Sequence, residues 1–331
     1  MNRILINASA AREGGALTIV ESYVAHHAND GSDYILLSPN VPISLPNNFY
    51  WKRVETKGIM TVLFALFFSL FYVVKYKSTK IVSFSNVNLF FTRIEKVTYF
   101  HNYLILHSSA LKFFLIRMSL MIFGRVNQKY VFQSKFVYAN FCKKIFKPTY
   151  YLLAWPGVTP INLAKYAYLD NFHIDKSKLK ILVPIVDLGN RNKNIDLLYA
   201  AIDKLGFHNV VFFITSPEPL DINLFRENIK YVGKLDKESY NTQLIQSDAV
   251  LILSLFETVC LPIFEALSIN RQAIVYEREY INSLNKEFGG IDGLITFKNV
   301  DDLCGIFSRL AKNKSVPFRA DKNYFTGNWG F

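Results

Sequence analysis

Short apolar runs of strand-like composition recur along this chain, each followed by a stretch with helical spacing, and that alternation restricts the fold more than any other feature. In the first half the runs are RILIN (3–7), YILLS (34–38), KIVSFS (80–85) and KVTYF (96–100), with a helix expected over 16–27. In the second half they are KILVPIV (180–186), NVVFFIT (209–215), IKYVG (229–233), AVLILS (249–254) and QAIVYE (272–277), with helices near 194–205, 237–246 and 262–269. Nearly continuous apolar strands alternating with helices predict parallel sheets covered on both faces. The stretch WPGVTP (155–160), with two prolines and a glycine, breaks the pattern between the halves. A chain of 331 residues accordingly divides into domains at 1–155 and 156–331. The predicted architecture is α/β: two doubly wound Rossmann-like domains facing each other across a cleft. Ligands of such open sheets bind beyond the carboxyl ends of the strands.

The net charge of +12 is unevenly placed. Residues 1–150 hold 18 Lys+Arg against 6 Asp+Glu, whereas residues 151–331 hold 20 of each, so the whole excess lies in the first half. Most of it falls within 52–147, which is also rich in aliphatic and aromatic residues. Basic and apolar surface together point to an anionic membrane interface rather than to nucleic acid. Within this region IMTVLFALFFSLFYVV (59–74) is uncharged between Lys57 and Lys75. As a helix its 16 residues rise about 24 Å, short of a hydrocarbon core of about 30 Å. A span would also put strands 3–7 and 34–38 across the bilayer from strands 80–85 and 96–100, which belong to the same sheet. The segment is therefore expected to be a helix that is partly core and partly interface-seeking. A second such helix is expected at 109–123, where Lys112 and Arg117 interrupt the apolar run.

Cys142, Cys260 and Cys304 lie far apart without metal-ligand spacing, so neither a zinc site nor a disulfide framework is expected. The start MNRILINASA lacks the long apolar region of a signal peptide. The expected location is the cytoplasm.

The stretch LILSLFETVCLPIFEAL (251–267) sets Glu257 and Glu265 into an otherwise apolar run. Strand 249–254 ends there, a loop follows, and Pro262 suits the first turn of a helix. Glu257 then occupies the loop at the strand's carboxyl edge and Glu265 lies about one turn into the helix. The N–H groups of Val259, Cys260 and Leu261, near that helix N-terminus, favour an anion such as a diphosphate. Two carboxylates flanking a diphosphate seat are suited to accepting hydrogen bonds from sugar and ribose hydroxyls.

The pattern ETVCLPIFE, continuing into ALSINRQAIV, resembles the donor-site signature of retaining GT-B glycosyltransferases, specifically glycosyltransferase family 4. RILINASAAREGGALTIVESY resembles that family's first strand, glycine loop and helix. TYFHN resembles its strand ending in histidine, YVFQSKFV a strand ending in a polar residue, and NRNKNIDLLYAAIDKL the basic loop and helix of its second domain. The resemblance implies that Glu265 binds the nucleotide ribose, that Glu257 reaches the transferred sugar, and that Lys193 binds the diphosphate. It further implies that Gly14 and Gly15 let backbone approach the donor, that His101 lies near the sugar, and that Thr258, Val259, Cys260 and Leu261 form the phosphate loop. Configuration at the anomeric carbon is retained, donor phosphate assists deprotonation of the acceptor, and no cofactor is required. The chain has no Asp-x-Asp pair, so a metal-clamped diphosphate is disfavoured.

Thr258, Cys260 and Asn270 stand where the family usually has glycine, and Asp187 where it has an arginine six residues before the lysine. Arg191 is expected to supply that missing charge. The chain ends at YFTGNWGF, where the family continues into a helix that crosses back to the first domain, so looser interdomain packing is expected. The implied function is transfer of a sugar from a nucleotide sugar to a lipid-linked or oligosaccharide acceptor in bacterial surface-polysaccharide synthesis. The acceptor would be held by the first domain, at the inner face of the cell membrane. Two alternatives share the sequence: a nucleotide-sugar epimerase or hydrolase of the same fold, and a degenerate, non-catalytic membrane scaffold.

Overall fold

The structure, a computed structural model, describes residues 3–90, 92–125, 128–171, 178–206, 209–221, 225–312, 318 and 320–331. It divides into two compact units. The first comprises Met1–Gly157, Glu257–Val259 and Thr326–Phe331, and the second Val158–Phe256 and Cys260–Phe325.

In the first unit the strands are β1 (Arg3–Asn7), β2 (Asp33–Ser38), β3 (Phe49–Arg53), β4 (Lys80–Ser83), β5 (Glu95–Phe100), β6 (Gln128–Phe132) and β7 (Tyr150–Leu153). They form a wholly parallel sheet in the order β3-β2-β1-β4-β5-β6-β7. β1 lies beside β4, so the strand order reverses there, and the loops leaving these two strands diverge at the carboxyl edge. In this sheet the sequence pattern does not signal β3 or β7, and in the second it does not signal the edge strand at Leu294–Phe297. β3 and β7 are edge strands, and FYWKR and YYLL expose residues on one or both faces instead of forming a buried apolar run.

Helix α1 (Gly14–His26) follows β1. The apolar segment after β3 is one continuous helical run: α2 (Ile59–Leu63), a π-helical turn at Phe64–Phe68, and α3 (Ser69–Tyr76). It closes at Lys77, whose left-handed backbone lets the N–H groups of Lys77 and Ser78 reach the carbonyls of Val74 and Val73. These 18 residues are apolar and long enough to cross a membrane by composition and length, and 33% of the run is buried. β1 precedes the run, β4 follows it, and the two are hydrogen-bonded neighbours, so the run lies along the unit instead of spanning a bilayer. Ala65, Leu66 and Val73 face inward, while Phe68, Phe71 and Val74 are exposed.

Beyond β5 come α4 (Leu104–His107), α5 (Leu111–Phe123) and α6 (Lys135–Lys144). On α5, Leu111, Phe114, Met118, Met121 and Ile122 form an exposed stripe at helical spacing, opposite buried Phe113 and Leu120. Arg117 interrupts the run in sequence but turns inward, donating to the carbonyls of Ile105 and Ser108, each at 2.8 Å.

The second unit contains β8 (Leu179–Val183), β9 (Val210–Ile214), β10 (Ile229–Tyr231), β11 (Ala249–Ile252), β12 (Gln272–Tyr276) and β13 (Leu294–Phe297). The order β10-β9-β8-β11-β12-β13 is again parallel and reverses between β8 and β11. Its helices include α7 (Asp196–Leu205), α8 (Lys237–Ile245), α9 (Leu261–Leu267), α10 (Glu279–Glu287) and α11 (Val300–Lys312). β8 stops before Pro184, which has no N–H to donate to a ladder. The core runs from Leu179, Ile181 and Val183 through Phe212, Leu251 and Ile274 to Phe307.

Candidate functional site

The second unit gathers its candidate residues at the reversal point of its sheet. A 3-10 turn at Arg191–Lys193 follows β8, opened by Asn190, whose side chain accepts from the Asn192 N–H at 3.1 Å. The Lys193 ammonium is half-buried and donates to Ser254 Oγ, just past β11, at 3.3 Å. Asn192 fixes the two loops together. Its carbonyl accepts from the Leu255 N–H (2.9 Å), its Oδ1 from the Phe256 N–H (2.9 Å), and its Nδ2 donates to the Phe256 carbonyl (3.0 Å). The sequence pattern marks the basic residues of NRNKN but not this asparagine, which holds them in register with the loop after β11. Arg191, in the same turn, is exposed. Asp187 accepts from the Gly189 N–H at 3.0 Å and so closes a local turn.

Glu265 lies on α9 and is only 6% exposed. Lys237, at the start of α8, donates to its Oε1 at 2.5 Å. The Tyr240 hydroxyl is buried beside the same carboxylate, and burial, then the Glu265 charge, push its pKa well above the usual value. Lys237 is another residue that spacing does not single out, because its relation to Glu265 exists only once α8 and α9 are packed.

Two of the three positions where glycine is expected explain that expectation. Cys260, preceding α9, has φ 51°, and Asn270, following it, has φ 57°. Both occupy the left-handed region that glycine adopts without penalty and asparagine tolerates. At Asn270 the N–H groups of Asn270 and Arg271 bond back to the carbonyls of Leu267 and Ala266, closing the helix. Thr258 is not left-handed among these residues. Its hydroxyl donates to the His101 carbonyl at 3.3 Å. Val259, Cys260 and Leu261 are all buried.

In the first unit, Gly14 opens α1 with φ 60°, in the left-handed region that glycine enters without a Cβ penalty, and both Gly14 and Gly15 are exposed. The preceding loop is tied down by polar groups: Asn7 Oδ1 accepts from Ser9 Oγ at 2.9 Å, and Arg12 donates to the Thr56 carbonyl at 2.6 Å. His101 directly follows β5. Asn86, itself left-handed at φ 64°, accepts from the N–H groups of His101 (2.9 Å) and Asn102 (3.1 Å), so the loop after β4 positions the histidine. The His101 Nδ1 is buried, and burial lowers its pKa from 6.5 to about 4, opposed by the Tyr99 backbone. Glu257 is half-buried and groups with this unit, together with Thr258 and Val259. The residues named from sequence thus fall into two sets, one in each unit. Among the described residues no three His, Cys, Asp or Glu side chains gather in metal-binding geometry.

No protein-family model matches the chain, and no curated protein matches it in sequence. Solved structures do match in fold. Sucrose-phosphate synthase from Thermosynechococcus elongatus aligns with TM-score 0.69 at 14% identity, over 95% of this chain and 90% of that one. HepE of Anabaena, solved with UDP and glucose, aligns with TM-score 0.68 at 10% identity, over 95% and 91%. WaaG, a glycosyltransferase involved in lipopolysaccharide biosynthesis, aligns with TM-score 0.67 at 13% identity, over 94% and 91%. At such identities the likeness is one of architecture, and it agrees with the two parallel sheets and their strand orders: the chain has the GT-B fold, two Rossmann-like units in sequence.

Proposed function

We propose that this protein is a retaining, metal-independent glycosyltransferase that moves a sugar from a nucleotide sugar to a lipid-linked or oligosaccharide acceptor. The observation that carries the reading is the meeting of Lys193 with Ser254 beside the Asn192-clamped loop at the second sheet's reversal point, with Glu265 buried on the helix that follows. HepE binds UDP and glucose on the same fold.

In this reading the Lys193 ammonium, with Arg191 beside it in sequence, meets the charge that grows on the leaving diphosphate as the glycosidic bond breaks. Glu265 accepts hydrogen bonds from the ribose, exchanging Lys237 for a hydroxyl donor. Glu257 and the neutral His101 address hydroxyls of the transferred sugar, and Gly14 and Gly15 leave backbone open to the donor. The bond from the anomeric carbon to phosphate breaks and the bond to the acceptor oxygen forms on the same face. The acceptor proton passes to the departing phosphate oxygen, so no protein nucleophile is needed.

We place the reaction at the inner face of the cell membrane, in surface-polysaccharide synthesis. The exposed apolar residues of α3 and α5, with exposed Lys75, Lys77, Lys112 and Arg125 nearby in sequence, support attachment to an anionic bilayer. WaaG's part in lipopolysaccharide biosynthesis supports the assignment of pathway.

The test is a donor screen by nucleotide release, with and without membranes supplying acceptor, and with chelator added. Acceptor-dependent release that survives chelation is expected. Lys193→Ala and Arg191→Ala should each weaken donor binding, by about tenfold if one charge-assisted hydrogen bond of about 1.5 kcal/mol is lost. Release without acceptor would identify a hydrolase or epimerase, and no binding of any nucleoside diphosphate would identify a scaffold.

A further inference from the structure

Lys96 is the second residue of β5 and is 1% exposed. The other fully buried side chains of comparable size are aromatic. Among the described residues the Lys96 amine makes no hydrogen bond and no ion pair. The adjacent carboxylate, Glu95, pairs with Lys80 at 3.4 Å. What is buried of Lys96 is its aliphatic stem, and the amine end reaches the pocket described next, where a partly desolvated ammonium favours an anion. Burial does lower its pKa.

Lys96 also lines an open pocket of about 530 Å³ together with Gln128, Lys129, Thr149, Tyr150 and Tyr151. These residues begin β5, β6 and β7, so the pocket lies at the amino edge of the sheet. Gly14, Gly15 and His101 follow strands and lie at the opposite, carboxyl edge. The pocket is therefore separate from the candidate site. Its wall is partly fixed: Gln128 accepts from Thr98 Oγ1 at 2.7 Å and donates to the Gly124 carbonyl at 2.6 Å, and Tyr151 stacks on Tyr138 with centroids 4.0 Å apart. Two lysines line it against Glu95, whose charge Lys80 already meets. Tyr150 and Tyr151 present exposed aromatic surface on which a sugar ring or another apolar body can lie.

We propose that this pocket is a second ligand site, where Lys96 takes the carboxylate or phosphate of a small anionic saccharide whose ring packs on Tyr150 and Tyr151. The proposal does not depend on the glycosyl-transfer reading, since it uses neither its residues nor its edge of the sheet.

Thermal shift and calorimetry with glucose 6-phosphate, glucuronate and inorganic phosphate test it. A rise in Tm with at least one of the three is expected. Glucuronate alone would identify a carboxylate ligand, and glucose 6-phosphate alone a sugar phosphate. Lys96→Met should abolish the response while leaving nucleoside diphosphate binding unchanged, and the ligand-free variant should melt no lower than the parent because methionine keeps an apolar stem in the same buried channel. Tyr150→Glu, at an exposed position, should weaken binding at least tenfold without touching the core. Failure of all three probes at 10 mM, or equal shifts in parent and both variants, overturns the proposal.

Discussion

His101 directly follows β5 with a buried Nδ1 and a pKa drawn down from 6.5 to about 4 by that burial. The native chain therefore holds a neutral imidazole where the unfolded chain already takes up a proton. As pH falls from about 6.5 to about 4, the unfolded state binds a proton that the native state refuses. Stability then drops through that window by up to about 3 kcal/mol and levels off below it. Urea unfolding of the parent and of His101→Gln at pH 7 and pH 4.5 measures this. The parent should lose roughly 2 kcal/mol more than the variant, and equal losses would acquit the imidazole. The spacing of ETVCLPIFE places Glu257 and Glu265 at a strand end and on the following helix, because a strand–loop–helix sequence has few geometries. Asn192, Lys237 and Asn86 carry no such signal, since each acts on a group 64, 28 or 15 residues away that becomes a neighbour only after the sheet has formed.

Elements expose a second layer of causes. α9 is a short helix bracketed by two left-handed residues, Cys260 and Asn270. Asn270 is exposed, and the closure is made by backbone groups. Asn270→Gly should therefore stabilise the chain by about 0.5–1 kcal/mol, because glycine enters this region without the steric penalty of a Cβ. A fall in denaturation midpoint would show that the asparagine side chain contributes more than its backbone strain costs. The helical run at 59–76 illustrates a different limit. Its apolar composition is plain in the sequence, yet composition cannot say which residues point outward, and the π-helical turn at Phe64–Phe68 shifts the helical phase between α2 and α3. Outward in α3 are Phe71 and Val74, 62% and 68% exposed. Replacing Phe68, Phe71 and Val74 with serine removes mostly exposed apolar surface. Co-sedimentation with anionic vesicles should fall several-fold while the melting temperature stays within about 2 °C, since surface changes of this kind stay near ±0.5 kcal/mol each. Unchanged co-sedimentation would exclude this face as the membrane contact.

At the scale of the whole molecule, the strand–helix alternation makes both parallel sheets legible, and edge strands β3, β7 and β13 escape because an exposed edge need not be apolar. The end of the chain is the least legible part. GNWGF shows neither a strand-like run nor helical spacing, yet Thr326–Phe331 groups with the first unit, more than 150 residues after that unit's main segment ends at Gly157. Trp329 is 3% exposed, stacked near Tyr99 with centroids 5.8 Å apart and edge-on to Tyr23 at 6.0 Å. His27 Nε2 donates to the Trp329 carbonyl at 3.0 Å, and Phe331 packs on the same two tyrosines. Gly327 approaches the Pro156 carbonyl so closely that a Cβ there would meet its oxygen at 2.5 Å, which fixes glycine at that crossing. The segment is thus part of the first unit's aromatic core. Trp329→Ala removes a buried ring, a change that costs about 3–5 kcal/mol in a core, with the lower figure expected where a terminal segment can relax. About 3 kcal/mol corresponds to a Tm lowered by roughly 6–12 °C for a unit of this size. Calorimetry should register that drop even though the substitution lies two residues before the last one in the sequence, and an unchanged Tm would mean that the aromatic seat is not occupied in solution.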